Sequence, residues 1–318
     1  MPEIVQLGTR RFGLRRPHYR KPTIHTSEYG IPVLTINQPE LQPKMNVEKC
    51  QVLVPVYRAL NEKEKLRVAH NISMLEDRPA ALIGPVGERQ LIEELCSELS
   101  RETGREITSA LFDNHHFQSV SGYNALLMSR AFFERFAGYE YILICQHDAL
   151  VLSNALAPWL ETGYAFVGAP HVAGFHNPGR PLKCLKSLNG GFSLRRVEDA
   201  LKVIDNVVLQ RRNFVLRVME STGALAARNA IFASKRLPII PLRKSLNEDM
   251  FWSETAPSMF EWYRTPPPEE AARFAFEVCP VDLFEITGHR LPFGCHAFEK
   301  YDREFWITHL PKDLIPLI

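Results

Sequence analysis

From residue 47 onward the sequence alternates short β-branched apolar runs with amphipathic segments. The runs at residues 50–56 and 80–85 predict buried strands, and the helical spacing of apolar residues at 62–75 and 88–100 predicts two helices. Such an alternation favours parallel strands covered by helices, because a parallel connection must cross over the sheet. We therefore expect an α/β fold with a mostly parallel central sheet.

The same alternation continues toward the middle of the chain. Residues 121–136 have a helical pattern, and apolar runs at 141–145 and 165–170 predict two further strands. A chain of 318 residues can form one large α/β domain or two small ones, and such a core needs no disulfide or metal for stability. We assign residues 47–318 to a single domain.

Residues 1–46 differ from the rest of the chain and predict a basic N-terminal extension. Residues 1–25 hold six Lys or Arg residues and one acidic residue, whereas the whole chain has a net charge of +2. Two interpretations stay open, a solvated tail and a segment that contacts an anionic membrane or glycolipid. The near-neutral total gives no reason to expect a nucleic-acid partner.

Cysteine usage and hydropathy predict the compartment. The chain has six cysteines without a C-x-x-C pair, which indicates free thiols in a reducing compartment and neither disulfides nor a zinc knuckle. No signal-peptide stretch or membrane-spanning apolar run is present in the sequence. We expect a cytoplasmic protein, and the second interpretation of the basic extension adds peripheral contact at the inner face of the membrane.

Several common enzyme motifs are missing from the sequence. The first predicted strand is followed by Pro55-Val-Tyr57-Arg58 where a dinucleotide-binding fold has its glycines, and no P-loop motif occurs. A G-x-S-x-G nucleophile motif is also absent. These absences argue against NAD-linked dehydrogenases, P-loop enzymes and serine hydrolases.

The strand predicted at 141–145 runs directly into Gln146, His147 and Asp148. Ligands of open α/β sheets bind at the carboxyl ends of the strands, and a carboxylate there can hold a divalent cation against a diphosphate. The alternative is an ordinary aspartate in a turn between two strands.

Three later segments also combine residues that can take part in chemistry. The Asn-Gly-Gly sequence at 189–191 allows close approach to a ligand, or it forms a plain hairpin turn. The Asn-Glu-Asp sequence at 247–249 offers a proton-accepting carboxylate, or it caps a helix. His296 is a candidate metal ligand, or an ordinary loop histidine.

The order of these segments resembles the GT-A glycosyltransferases, which use nucleotide-sugar donors. It is more closely similar to a bacterial family of glycosyltransferase-like proteins that share Q-x-D-A, N-G-G-F-S-L-R, N-E-D-x-F-W and P-F-G-x-H-A motifs. The resemblance covers about residues 47–310. It implies a single GT-A-like domain, a hexosyltransferase-like activity, a nucleotide-diphosphate-sugar donor and a glycan or other hydroxyl acceptor, as in polysaccharide biosynthesis.

The resemblance also implies two groups of binding residues. The donor is expected to contact the end of the first strand and the two ends of the D-x-D-like motif, namely Pro55, Tyr57, Arg58, Gln146 and Asp148. The loop beside the sugar and the acceptor is expected to contain Asn189, Gly190, Gly191 and Arg195.

For catalysis, the resemblance implies an inverting transfer with Asp249 as the base and Glu248 as the second candidate. It implies a divalent metal, Mn²⁺ or Mg²⁺, held by Asp148 and His296. Gln146 stands where GT-A enzymes have the first acid of D-x-D. The amide keeps an oxygen ligand but loses one negative charge, which weakens metal binding.

Two other classes of function stay open from the sequence. The first is a catalytically inactive GT-A-like module that binds a nucleotide or a glycan. The second is a nucleotidyltransferase, for which we expect a glycine- and arginine-rich loop after the first strand, and this chain has none. No feature of the sequence specifies an oligomeric state.

Overall fold

The structure is a computed structural model, and it describes residues 23–26, 32–35, 48–75, 77–211, 213–232, 237–242 and 247–318. The chain divides into two units, residues 1–44 and 45–318. In the first unit, strands β1 (Thr23–Thr26) and β2 (Pro32–Thr35) pair antiparallel. The predicted basic extension, residues 1–46, otherwise lies outside the described residues.

The second unit is a mixed α/β domain. Its described strands are β3 (Glu48–Pro55), β4 (Ala80–Pro85), β5 (Ile107–Phe112), β6 (Tyr139–Cys145), β7 (Ala149–Val151), β8 (Phe166–Val172), β9 (Cys184–Arg196), β10 (Val208–Arg211), β11 (Ile239–Leu242), β12 (Ala275–Phe276) and β13 (Gly294–His296).

The described helices of this unit are α1 (Glu62–Met74), α2 (Arg89–Thr103), α3 (Val120–Leu127), α4 (Arg130–Arg135), α5 (Leu156–Glu161), α6 (Val197–Asp205), α7 (Phe214–Ser221), α8 (Ala224–Phe232), α9 (Glu248–Met250), α10 (Ala256–Met259), α11 (Pro268–Phe274), α12 (Pro280–Ile286) and α13 (Arg303–His309). A π-helical turn, Phe251–Thr255, joins α9 to α10.

The centre of the domain is a six-stranded sheet in the order β5–β4–β3–β6–β9–β8. Strands β5, β4, β3 and β6 pair in parallel, whereas β9 is antiparallel to both of its neighbours. Five of the six strands therefore run in one direction, and the predicted mostly parallel α/β sheet is confirmed. Smaller sheets are formed by β12–β13–β7 and by β10–β11.

Both faces of the central sheet are buried, as strand β3 shows. Val52 and Val54 belong to one apolar cluster, which includes residues of α1 and α2, while Leu53 belongs to a second cluster on the other face. Successive side chains of a strand point to opposite faces, so a strand covered on both sides is a continuous apolar run. This explains why the first strand was recognisable in the sequence.

The helix predicted at 121–136 is in fact two helices, α3 and α4. Ser129 lies between the two helices and caps the start of α4, because its hydroxyl accepts a hydrogen bond from the backbone N–H of Phe132 at 3.2 Å. A serine in this position is a strong helix N-cap. The prediction of one continuous helix was therefore wrong at this cap.

All six cysteines are free, and five of them are buried. Burial raises the pKa of the Cys50 thiol and of the Cys145 thiol to about 12, so both stay protonated. Among the described residues, no helix is both long and apolar enough to cross a bilayer. A cytoplasmic location stays a prediction.

Candidate functional site

Residues 146–148 form a turn at the carboxyl end of β6. The backbone N–H of Ala149 closes the turn on the carbonyl of Gln146 at 2.9 Å, and the N–H of Gln146 donates to the carbonyl of Gly191 on β9 at 2.9 Å. The carbonyl of Asp148 accepts from Ala297 after β13 at 3.0 Å. The turn therefore ties the segment to two other candidate segments of the chain.

A cavity of about 450 Å³ opens beside this turn. Nine of the predicted site residues line it, and these are Pro55, Tyr57, Gln146, Asn189, Gly190, Gly191, Glu248, Asp249 and His296. The other three predicted residues each contact a residue of its wall: Arg58 contacts His147, Asp148 contacts His296, and Arg195 contacts Glu248. The structure thus brings together segments that are far apart in the sequence.

His296 lies at the centre of a buried polar cluster. Its Nε2 atom lies 3.1 Å from Oε1 of Gln146 and 3.3 Å from Oδ1 of Asp148. Its Nδ1 atom lies 3.1 Å from Oε1 of Glu277. Burial lowers the pKa of His296, but the two carboxylates raise it by more, to about 9. The ring is therefore an imidazolium ion between two carboxylates.

Asp148 is held ionised by positive neighbours. Burial raises its pKa, but the imidazolium of His296 and the ammonium of Lys300, 3.2 Å from Oδ2, bring it well below the usual range. Oδ1 of Asp148 faces the imidazolium of His296, 3.3 Å from Nε2, and accepts no hydrogen bond from any other described residue.

The Asn-Gly-Gly segment is a continuous part of strand β9, so the hairpin-turn interpretation was wrong. Asn189 fixes the segment, since its amide oxygen accepts from the N–H of Gly191 at 2.7 Å and its Nδ2 donates to Glu277 at 3.0 Å. A Cβ atom on Gly190 would lie 2.4 Å from Oε1 of Glu248. The paired glycines therefore serve close packing against the site residues.

Glu248 and Arg195 form a buried ion pair behind the cavity wall. The guanidinium of Arg195 donates to both carboxylate oxygens of Glu248 at 2.7 and 2.8 Å, and it also donates to the carbonyl of Gly190 at 3.2 Å. Its carbon atom lies 5.0 Å from the centre of the Phe166 ring. Both oxygens of Glu248 are thus engaged by one arginine, and Arg195 is 1% exposed.

Asp249 is the second carboxylate of this segment and has a different environment. Its Oδ1 accepts from the backbone N–H of Met250 at 2.7 Å, and its Oδ2 lies 3.9 Å from Nε2 of His171. Burial raises the pKa of Asp249 above its usual value. Burial also raises the pKa of Glu248, but both oxygens of Glu248 are held by Arg195, so Asp249 is the less constrained carboxylate in the cavity wall.

The rim of the cavity near the first strand carries Tyr57 and Arg58. The Tyr57 side chain is 49% exposed, and its ring contacts that of His147 edge-on at 6.3 Å. Arg58 makes a bidentate contact with Glu64 at 2.8 Å and donates to Nε2 of His147 at 3.0 Å. Glu64 also completes the capping box of α1 with Asn61. Arg58 therefore links the start of α1 to the cavity rim.

Sequence reasoning missed one whole wall of the cavity and one buried carboxylate. Residues 117–120, 123 and 124, before and within α3, also line the cavity, and Asn124 donates to Asn247 at 3.3 Å. Glu277 follows β12 and contacts both His296 and Asn189. The helical pattern of α3 was visible in the sequence, whereas Glu277 is an isolated acid with no pattern around it.

A divalent metal is implied by the resemblance, and the donor set can be tested for fit. Among the described residues, no group of three or more His, Cys, Asp or Glu side chains is placed to hold a metal ion. With the amide oxygen of Gln146 included, three donor atoms converge, since Nε2 of His296 lies within 3.3 Å of both Gln146 and Asp148. These three donors fit Mg²⁺ or Mn²⁺ if the imidazolium gives up its proton.

Comparison with known proteins gives three results. A family model described as "Protein of unknown function (DUF5672)" matches residues 106–296, which is more than half of the chain. The chain is similar to a solved structure described as "Crystal structure of a glycosyltransferase involved in the glycosylation of the major capsid of PBCV-1", with 11% identity, a TM-score of 0.35, and coverage of 78% of this chain and 92% of that one. No curated protein matches significantly.

Proposed function

The chain belongs to the family described as "Protein of unknown function (DUF5672)", and we propose that it is a glycosyltransferase. In this proposal it moves a sugar from a nucleotide-diphosphate donor to a glycan or other hydroxyl acceptor. The observation that carries the proposal is the convergence of four distant segments, 146–148, 189–191, 247–249 and 296, on one cavity. These are the segments on which the resemblance to nucleotide-sugar enzymes rests.

Asp249 is the proposed base of an inverting transfer. The acceptor hydroxyl attacks the anomeric carbon while the carboxylate takes its proton, and the bond to the nucleoside diphosphate breaks on the opposite face. A base works best when its pKa is close to the working pH, and burial shifts the pKa of Asp249 in that direction. Its position in the cavity wall supports this role.

Glu248 and Arg195 are proposed to position this base and the sugar loop. A carboxylate whose two oxygens both accept from one buried guanidinium is a poor proton acceptor, since protonation would break the ion pair. Arg195 also holds the carbonyl of Gly190. The pair thus connects β9 to the start of α9 and fixes the backbone around Asp249.

The donor is proposed to lie between the first strand and the residue 146–148 turn. The exposed Tyr57 ring offers a flat surface on which a nucleobase can stack. Two positively charged side chains contact the turn. Arg58 contacts His147, and Lys300 contacts Asp148. Positive charge there stabilises the diphosphate that leaves.

The proposed metal site consists of Asp148, His296 and the amide oxygen of Gln146. A bound Mn²⁺ or Mg²⁺ would add positive charge beside the leaving diphosphate. The residues themselves orient the site: Glu277 holds Nδ1 of His296 so that Nε2 faces the cavity. The single strong anion in this set makes us expect weak binding of the free ion.

A second candidate is a catalytically inactive module that binds a nucleotide or glycan. It is favoured by Gln146, which leaves one carboxylate where GT-A enzymes have two. Incubating the protein with a panel of nucleotide sugars and Mn²⁺ separates the candidates. Release of nucleoside diphosphate supports the enzyme, whereas a thermal shift without turnover supports the binding module.

A further inference from the structure

Helix α7 turns most of its apolar side chains toward solvent. Phe214 is 79% exposed, Val215 is 61% exposed and Val218 is 43% exposed, whereas Leu216 is buried. At 100° per residue, the three exposed side chains cover about 100° of one helix face. Arg217 is exposed on the edge of that face. An outward apolar face with a basic edge is typical of a helix that lies in a membrane interface.

The charges of the chain are unevenly distributed along the sequence, and α7 lies in a basic part of it. Residues 206–246 contain eight Lys or Arg residues and one acidic residue. The remainder of the chain after residue 25 contains 24 Lys or Arg residues and 34 acidic ones. The exposed face therefore belongs to a stretch of sequence that is strongly basic, whereas the rest of the chain after residue 25 is acidic. Net positive charge in this stretch attracts an anionic surface.

We propose that the outer face of α7, formed by Phe214, Val215, Arg217 and Val218, docks on a membrane that contains anionic lipid. The apolar side chains enter the interface, and Arg217 contacts the headgroups. Residues 1–25 of this chain are also basic, so electrostatic repulsion from the basic stretch 206–246 disfavours them as the partner that covers this face. A second copy docking through the same face would meet the same repulsion. The inference does not depend on the proposed transfer reaction, because it rests on exposure and charge alone.

Vesicle sedimentation with the full-length chain tests the docking surface. We expect binding to vesicles of phosphatidylcholine mixed with phosphatidylglycerol, weaker binding in high salt, and little binding to phosphatidylcholine alone. Phe214→Ser/Val218→Ser and Arg217→Glu are each expected to lower the partition coefficient about tenfold. Residues 1–25 are the same in all variants, so differences report on α7.

The control is Val281→Ser on α12, whose side chain is also half exposed but lies next to Asp282. Val281→Ser should sediment with the vesicles to the same extent as the original protein. All variants should have the melting temperature of the original protein. Wild-type failure to bind the anionic vesicles, or equal binding of the double variant, overturns the proposal. It is also overturned if light scattering finds a dimer that the double variant converts to a monomer, because a second copy then covers the face.

Discussion

Gly191 leaves no room for a side chain beside His296, since a Cβ atom on this glycine would lie 2.2 Å from the imidazole Nε2. The strand that carries the glycine and the ring that contacts Asp148 are thus packed directly against each other. This contact makes β9 part of the wall that positions His296. The glycine is needed for close approach and not for an unusual backbone conformation.

Gly191→Ala should therefore displace the His296 ring from Gln146 and Asp148. We expect a loss of stability of about 1–3 kcal/mol from overpacking, measured by urea unfolding, and a loss of nucleotide-sugar turnover. Gly179→Ala is the matched control, because a Cβ atom there meets nothing within 4 Å. Unchanged stability and turnover in Gly191→Ala would show that the ring does not depend on this contact.

Arg195→Met should destabilise the fold strongly, because it leaves the Glu248 carboxylate buried without its partner. The expected loss in the free energy of unfolding is about 3–5 kcal/mol. Adding Glu248→Gln to Arg195→Met should recover part of that loss. The control is Arg89→Met, which removes an exposed pair with Glu93 and should cost less than about 0.5 kcal/mol. Equal effects of the two arginine variants would contradict the assignment.

Glu64 should contribute to stability at neutral pH and less in acid. The hydrogen bond from Arg58 is the main cause that lowers the pKa of Glu64 to about 2, from a usual value of 4.5. The contribution is complete above pH 4.5 and is lost as the pH falls toward 2, because the unfolded chain binds the proton first. Glu64→Gln should thus cost stability at pH 7 and much less at pH 3, by urea unfolding.

The matched control for this pH dependence is Glu102→Gln, at an exposed position in the last turn of α2. It should change stability little at either pH. If Glu64→Gln has the same cost at pH 7 and pH 3, then the ion pair with Arg58 does not lower the pKa of Glu64 in the folded protein.

Asp148→Asn should remove the response of the protein to divalent metal. In the proposed site this carboxylate is the one anionic ligand, so its loss should abolish any Mn²⁺-dependent rise in melting temperature measured with a nucleoside diphosphate present. Asp302→Asn, which changes an exposed aspartate directly before α13, should keep that rise. A full Mn²⁺ response in Asp148→Asn would remove Asp148 from the metal site.

The sequence was sufficient to predict those strands and helices whose burial produces a regular spacing of apolar residues. Strand β3 and helix α1 were predicted within two residues of their bounds, because burial on two faces and amphipathic packing each leave a periodicity. The cap at Ser129 was overlooked because the apolar spacing continues across it. The four site segments were also visible, since each combines unusual polar residues.

Contacts across the fold were not visible in the sequence. No spacing rule pairs Arg195 with Glu248, or Glu277 with His296, because these residues meet only after the strands have assembled. The same holds for α7, because only the structure shows that Phe214 and Val215 face solvent.

The most direct test of the proposed function is turnover of a panel of UDP-, GDP- and dTDP-sugars, detected as release of the nucleoside diphosphate with water or simple glycosides as acceptors. We predict that the original protein turns over at least one donor, and that Asp249→Asn lowers this turnover about 100-fold or more while keeping its melting temperature. The exposed control Asp313→Asn should retain full activity. Full turnover by Asp249→Asn, or binding of a donor by the original protein without any turnover, would contradict the account.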